Sequence, residues 1–272
     1  MSFKRSVTVL PLILLCSSPL HAQDEHWDTY MASYGGRPGS VLVDMGAVTT
    51  APDKALPYLL ITGPAALECN AEKGIPPPGA IDDMEQVLDV TSAMLSGVTA
   101  KKLVGTFTHN CERLNYYYIK DTAAIRFALA RMYRDHFKDY RYVLRIKPDA
   151  EWLTYRTFLY PDSAAKAWMV ADRTITELLQ SGDNLSTPRP IRYTLCFHTE
   201  NERSAFADSC LKQGFTIAGQ QNTSALKTMY EITVSKFAAV KMDSILADEA
   251  RLSLIAAGNH GYYIKWEAPL PR

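Results

Sequence analysis

The sequence has no excess of charge of either sign. Its 272 residues include 29 Lys and Arg against 29 Asp and Glu. Proteins that bind nucleic acid, or that attach to an anionic membrane surface, usually carry a basic patch or a net positive charge. The balance therefore argues against a nucleic-acid partner and favours binding that depends on local shape.

Motifs of the common catalytic and cofactor sites are also missing. The chain has no serine nucleophile elbow, phosphate-binding loop or dinucleotide fingerprint, and its cysteines form no C-x-x-C pair. Its six histidines are scattered without the spacing of metal ligands. We therefore predict no catalytic residue, no cofactor and no metal site. His109, in a turn beside Cys111, and His198 are the candidate bases for an alternative function, hydrolysis of cell-envelope material.

An RNA-binding sheet is the other site that the sequence argues against. Arg141 and Arg145 beside Tyr117 could form a basic aromatic face, but residues 113–120 lack the glycines and the aromatic spacing of sheet-based RNA binders. We interpret these three side chains as part of a solvated sheet face.

Long apolar runs are absent except at the N-terminus. Lys4 and Arg5 precede an apolar run over residues 7–16, and the small residue Ala22 precedes Gln23. The run is too short to cross a bilayer as a helix, which takes about 20 residues. This pattern is typical of a secretory signal peptide that is cleaved between Ala22 and Gln23.

Export is therefore predicted, with a signal peptide over residues 1–22 and a periplasmic or secreted mature protein. Its removal leaves 27 basic and 29 acidic residues and no integral membrane segment. A lipid anchor at Cys16 is disfavoured, because Leu15 stands where a lipoprotein signal needs a small residue. An uncleaved membrane anchor is the remaining alternative.

Hydrophobic periodicity predicts the same order of elements twice. A hairpin over residues 26–45 comes first, with its turn at Gly35 and Gly36. The first set then comprises strands at 58–62, 102–108, 114–119 and 140–147 and helices at 81–95 and 122–136. A helix at 164–179 precedes the second set, with strands at 191–197, 215–220, 229–234 and 262–266 and helices at 200–212 and 242–257.

This order predicts an α+β fold with two ferredoxin-like (βαββαβ) sandwich domains in tandem. We place the domains at residues 23–160 and 161–272, joined around residues 150–162. In the strand at 140–147, alternation predicts that Tyr142, Leu144 and Ile146 face the helices.

Four cysteines remain after removal of the leader, and they allow three pairings in an oxidising compartment. In the predicted topology, the loop that holds Cys69 and the turn that holds Cys111 lie at the same end of the sheet. We therefore predict a disulfide between Cys69 and Cys111. Cys196 is predicted to share a strand face with Arg192 and Thr194 that points away from the helices, and Cys210 is predicted to lie on the buried side of a helix, so the two cysteines should not pair.

Stretches in both halves resemble known families. Residues 26–30, 41–44, 103–106 and 116–118 together resemble the bacterial family called domain of unknown function 695, which has no established activity. Residues 182–183, 189–191, 205–206, 214–215 and 258–267 resemble the B-type regulator of ribonuclease E activity, a ferredoxin-like protein inhibitor. Tyr230 and residues 263–265 depart from that second pattern.

The second resemblance implies a module that binds a protein partner rather than an enzyme. Ribonuclease E works in the cytoplasm, whereas the leader predicts export, so we expect the fold to be reused on another partner. The sequence thus predicts an exported, non-catalytic protein-binding or inhibitory protein whose oligomeric state is open. The alternatives are a cell-envelope hydrolase and a cytoplasmic inhibitor of ribonuclease E.

Overall fold

The computed structural model describes residues 26–66, 76, 78–224 and 228–269. These residues form a mixed α+β structure with two antiparallel sheets and α-helices, as the sequence predicted. The predicted signal peptide, its cleavage point at Ala22 and Gln23, and Cys69 lie outside the described residues.

The first sheet has six strands. The predicted hairpin is confirmed, since the first two strands are joined by Gly35 and Gly36, both with positive φ, in a two-residue turn. The strands are β1 (Trp27–Tyr34), β2 (Arg37–Asp44), β3 (Tyr58–Ala65), β4 (Lys101–His109), β5 (Glu112–Ile119) and β6 (Arg141–Pro148). They lie in the order β1-β2-β4-β5-β3-β6, so the hairpin extends the sheet beyond β4.

Two helices, α1 (Pro78–Ser96) and α2 (Ile125–His136), cover one face of this sheet. Their apolar side chains, including Val87 and Leu129, form one core with Leu60 and Ile119 of the sheet. Tyr142, Leu144 and Ile146 pack against the same core, which confirms the predicted alternation of β6. The predicted helix at 122–136 begins later, at Ile125, after Ala124 in a left-handed conformation.

We call the opposite side of each sheet its outer face. In the first sheet this face is covered by the connecting segment, which we define as residues 149–162. The segment includes a π-helical turn over Tyr155–Leu159. Trp152 is buried, its ring is stacked on Tyr118 with centroids 4.0 Å apart, and its Nε1 donates to the carbonyl of Leu56 at 3.1 Å. The stretch predicted as a plain domain connection is thus part of a core.

Our interpretation of Arg141, Arg145 and Tyr117 as one solvated face was wrong. Tyr117 is fully buried beneath the helices, whereas both arginines are exposed. Tyr117 and Val143 belong to the cores on opposite sides of the sheet, and the arginines alternate with Tyr142 and Leu144 along β6. The three side chains therefore do not share one face of the sheet.

Helix α3 (Ser163–Gln180) follows the connecting segment and contacts both sheets' cores. Asp162 caps its N-terminus by accepting from the backbone N–H of Ala165 at 2.8 Å. Met169 packs into the core on the outer face of the first sheet, and Ala171 packs into the core of the second sheet. The predicted boundary between residues 160 and 161 therefore falls just before a helix shared by the two regions.

The second sheet has four strands, β7 (Arg189–Phe197), β8 (Thr216–Ser224), β9 (Thr228–Ala238) and β10 (Tyr262–Glu267). Their order is β10-β7-β9-β8, which matches the relative order β6-β3-β5-β4 in the first sheet. Helices α4 (Glu200–Lys212) and α5 (Met242–Gly258) pack on one face of it. Thr199 and Glu202 form a capping box at the start of α4.

No helix among the described residues is both long and apolar enough to cross a membrane.

Candidate functional site

The outer face of the second sheet differs from its helix-covered face in composition. On β7, Ile191, Tyr193, Leu195 and Phe197 point into the core beneath the helices. Arg192, Thr194 and Cys196 alternate with them and therefore lie on the outer face. The packed cores of the described chain place α4 and α5 on the other side of this sheet, and no described segment covers the outer face as residues 149–162 cover the first sheet.

Small side chains occupy the centre of this outer face. Thr194 on β7 lies opposite Thr233 on β9, and the two hydroxyl oxygens are 3.3 Å apart. The next pair along the strands is Arg192 with Ser235, and the pair on the other side is Cys196 with Glu231. Thr194 and Cys196 are nevertheless buried, at 5% and 3% exposure, so the side chains that surround them on this face are the ones accessible to a partner.

Charged side chains at one end of the outer face neutralise one another. The Nη1 of Arg192 lies 3.7 Å from the Oε1 of Glu267. The Nζ of Lys265 donates to the Oε2 of the same carboxylate at 3.2 Å. All three side chains are substantially exposed, so these ion pairs add little to the free energy of unfolding. They leave the face without a strong charge of one sign, which excludes long-range attraction of a polyanion as its means of recognition.

Large apolar side chains stand at the margins of the outer face. Phe237, opposite Pro190 in the register, is 73% exposed, and Tyr262, opposite Cys196, is 48% exposed. Ile264 is 45% exposed at an irregularity in the pairing of β10. Exposed aromatic side chains are among the residues that most often anchor protein interfaces.

Two ion pairs, one of them buried on both sides, hold the strands that carry this face. Arg189 at the start of β7 forms two hydrogen bonds with the carboxylate of Asp183, one of them 2.7 Å long, and both side chains are buried. On β9, Lys236 donates to both oxygens of Asp248 at 2.9 and 3.0 Å. These contacts connect β7 and β9 to neighbouring segments of the chain.

The cysteine positions agree with the sequence prediction where the structure describes them. Cys196 and Cys210 are both free and buried. Burial raises the pKa of the Cys210 thiol to about 12, so this side chain is an uncharged core residue rather than a nucleophile. A hydrogen bond with Cys196, with a smaller effect of burial, raises the pKa of Tyr262.

The predicted disulfide joins one described residue to one that is not. Cys111 is disulfide-bonded and has a positive φ of 68° in the turn after β4. Because Cys69 lies outside the described residues, its pairing with Cys111 stays a prediction.

The two candidate bases lie in different surroundings. The ring of His109 is stacked on Phe107 with centroids 5.2 Å apart, and its Nε2 lies 3.0 Å from the backbone oxygen of Tyr34. His198 is exposed, and its ring lies 6.4 Å from that of Tyr262. Within the described ranges, no hydrogen bond joins either histidine ring to a carboxylate or a hydroxyl, and no group of three His, Cys, Asp or Glu could hold a metal ion.

Sequence reasoning placed Arg192, Thr194 and Cys196 on the correct face but missed Phe237. The predicted strand ended at residue 234, whereas β9 continues to Ala238. The end of β9 was missed because of Lys236, since a charged residue at an inward position interrupts the apolar alternation that predicts a strand. Its partner Asp248 on α5 explains that position, and a pairing between distant elements leaves no signal in the local sequence.

Two family models match the chain, one over each half. Residues 25–160 match the family of unknown function DUF695. Residues 168–268, which contain the whole outer face of the second sheet, match the family described as regulator of ribonuclease activity B. Both resemblances predicted from the sequence are thereby confirmed.

Comparisons with individual proteins add little. No curated protein matches the chain. A crystal structure of a candidate glycine cleavage system transcriptional repressor is 8% identical, and the match covers 78% of this chain and 98% of that one with a TM-score of 0.24. An unknown protein from Galdieria sulphuraria is 10% identical over 76% of this chain and 98% of that one, with a TM-score of 0.20. At such scores neither structure carries an argument.

Proposed function

We propose that this chain, which belongs to the family of unknown function DUF695, is an exported protein of two domains that binds or inhibits a protein partner and has no catalytic activity of its own. The partner contacts the outer face of the second sheet. The domains are residues 23–160 and 161–272, after a signal peptide over residues 1–22.

One observation carries this proposal. The outer face of the second sheet bears exposed Phe237 and Tyr262 and lies in the part of the chain that matches a regulator of ribonuclease activity. A regulator that acts on another protein needs a surface of this kind, with aromatic anchors and little net charge at its centre.

The fold in this proposal is a pair of ferredoxin-like sandwiches. Two observations support it. In each sheet the four strands of the repeat lie in the order fourth, first, third, second, and every neighbouring pair is antiparallel. In each repeat both helices pack on one face of the sheet. The hairpin of β1 and β2 is an addition to the first repeat.

Two observations support export, and the leader is the main one. The cationic start and short apolar run are followed by Ala22 before Gln23, as a cleavable signal requires. A bonded Cys111 fits an oxidising compartment.

A second candidate function is favoured by the family match to the regulator of ribonuclease activity. In that case the protein stays in the cytoplasm and inhibits ribonuclease E, and its first residues are not a signal. The partner-binding face would be the same, so the compartment separates the two functions.

The compartment is tested by cell fractionation combined with intact-mass measurement. We expect the protein in the periplasmic or secreted fraction, with a mass that begins at Gln23 and is two hydrogens lower than that of the reduced chain. Recovery of the full-length chain with free thiols from the cytosol would contradict export and favour the second candidate.

The binding face is tested by pull-down from a periplasmic extract with two matched variants. Thr233→Lys adds a long charged side chain at the centre of the outer face, whereas Leu254→Lys adds the same group at a 76% exposed position on α5. We expect wild type and Leu254→Lys to retain a stoichiometric partner and Thr233→Lys to lose it. Equal recovery with both variants would place the partner elsewhere.

A further inference from the structure

A groove of about 420 Å³ lies where β1, the connecting segment, α3 and α5 meet. It is separate from the outer face of the second sheet. Residues from both regions line it, since Tyr30 belongs to the first sheet and Leu246 to α5. Grooves between two packed regions are frequent binding sites.

The edge of the first sheet runs along this groove. Among the described strands, β1 is the outermost and pairs on one side only, with β2. Tyr34 and Arg37 flank the two-residue turn, and such a flanking pair exchanges both of its backbone hydrogen bonds. By the alternation of an antiparallel ladder, Met31 and Ser33 therefore turn their backbone N–H and C=O groups away from β2. Both residues line the groove.

The walls of the groove are aromatic, and one carboxylate, that of Asp162, lies among the described residues that line it. Tyr30, Tyr160 and Trp168 contribute rings. The carboxylate of Asp162 is exposed and accepts one hydrogen bond, from the N–H of Ala165. Burial, and to a smaller degree this carboxylate, raise the pKa of Tyr30 to about 12.

The Tyr160 ring already lies beside a cation. The ammonium nitrogen of Lys166 lies 4.6 Å from the centre of the Tyr160 ring. Aromatic faces beside a carboxylate favour the binding of a positively charged side chain. The unpaired edge of a strand favours the binding of a segment with an extended backbone.

We propose that this groove binds an extended segment of a partner protein, which adds as a strand to β1 and places a Lys or Arg side chain between Asp162 and the aromatic rings. This inference rests on the proposed function in taking the partner to be a protein, and it names a second surface and the chemistry of the segment. Backbone bonds to Met31 and Ser33 supply the affinity, and the basic side chain supplies the selectivity.

The test is a selection of random ten-residue peptides, displayed on phage, against the purified intact protein. We expect enriched peptides to alternate β-branched residues with others and to carry one Lys or Arg at a fixed position. Ser33→Pro removes the edge donor and should lower enrichment about tenfold. Ser33→Ala keeps the donor and should stay within about twofold of wild type.

Asp162→Asn gives a second, independent measurement. Asparagine caps a helix as well as aspartate does, so α3 should keep its N-terminus while the groove loses its charge. We expect this variant to enrich extended peptides that no longer prefer Lys or Arg.

Several results would overturn the inference. They are the absence of enrichment on wild type, enriched peptides with helical periodicity, no basic preference on wild type, or equal enrichment on Ser33→Pro and Ser33→Ala. A wild-type dimer in sedimentation that Ser33→Pro abolishes would also overturn it, by assigning the edge to a second copy. Because the selection uses no cell extract, its failure leaves the pull-down on the second sheet unaffected.

Discussion

The two sheets share one strand order but differ in how many of their faces are covered. The first sheet is enclosed, with α1 and α2 on one face and the connecting segment with part of α3 on the other. The second has a core on its helix face and an outer face that bears Phe237 and Tyr262. The strand order is the same in both sheets, so the sheets differ in whether the connecting segment packs on the outer face.

This contrast suggests that the two sheets have different roles. Both faces of the first sheet serve its own stability, so what it offers to a partner is an edge and the groove beside it. Among the described residues, no segment covers the outer face of the second sheet in the same way, and in our proposal this face contacts the partner. Substitutions at equivalent depths in the two sheets should therefore have different consequences, and these differences can be measured.

The largest difference is expected for a charge placed on each outer face. Leu59→Lys puts an ammonium group where the side chain is fully buried under the connecting segment. An unpaired buried charge costs about 5 kcal/mol or more, comparable with the whole stability of a domain, so the first region should not fold. Thr233→Lys should change the free energy of unfolding by less than about 1 kcal/mol.

Far-ultraviolet circular dichroism during urea unfolding measures both variants. Similar losses for Leu59→Lys and Thr233→Lys would mean that the second outer face is covered as well.

The next largest effect on the free energy of unfolding is expected from removal of the Trp152 side chain, which lies in the connecting segment. Trp152→Ala deletes the ring stacked on Tyr118 and leaves the carbonyl of Leu56 without its donor. We expect a loss of about 3–5 kcal/mol in urea unfolding. The adjacent Leu153 is 57% exposed, so Leu153→Ala should cost less than about 0.5 kcal/mol. Equal costs for the two would show that the connecting segment is not part of the core.

A smaller, pH-dependent effect on the free energy of unfolding is expected at Asp149, the first residue of the connecting segment. Asp149 accepts hydrogen bonds from the hydroxyl of Tyr118 and from the backbone N–H groups of Leu153 and Thr154. Burial alone would raise the pKa of this carboxyl, but these bonds outweigh it and hold the pKa below its ordinary value. The stabilisation is therefore present above the unfolded pKa near 4 and is lost as the pH falls through the folded pKa.

Asp149→Asn should accordingly lower the free energy of unfolding by about 1–3 kcal/mol at pH 7, and by less at pH 3. The exposed Asp139 offers the matched control, since Asp139→Asn should cost less than about 0.5 kcal/mol at either pH. A cost at Asp149 that does not change with pH would contradict the role of its charge.

Regular periodicity made much of the fold predictable from the sequence. The alternation of Tyr142, Leu144 and Ile146 identified the helix side of β6, and glycines identified the hairpin turn. The packing of the connecting segment on the first sheet was not predictable in this way. Its π-helical turn has no repeating apolar pattern, and Asp149 and Trp152 depend on Tyr118 and Leu56, which lie far away in the chain.

The same limit applies to the two candidate binding surfaces. Strand alternation placed Arg192, Thr194 and Cys196 on the outer face, but the register that sets Phe237 beside Pro190 is a property of the paired strands. The groove beside β1 is built from residues of four elements, so no local pattern indicates it.

Photo-crosslinking in intact cells tests whether the outer face of the second sheet is the partner-binding surface. A photoreactive phenylalanine analogue replaces Phe237 in one strain and Leu254, which is equally exposed on α5, in another. The account predicts one discrete crosslinked protein from position 237 and none from position 254. Crosslinks of equal yield from both positions, or from position 254 alone, would contradict it.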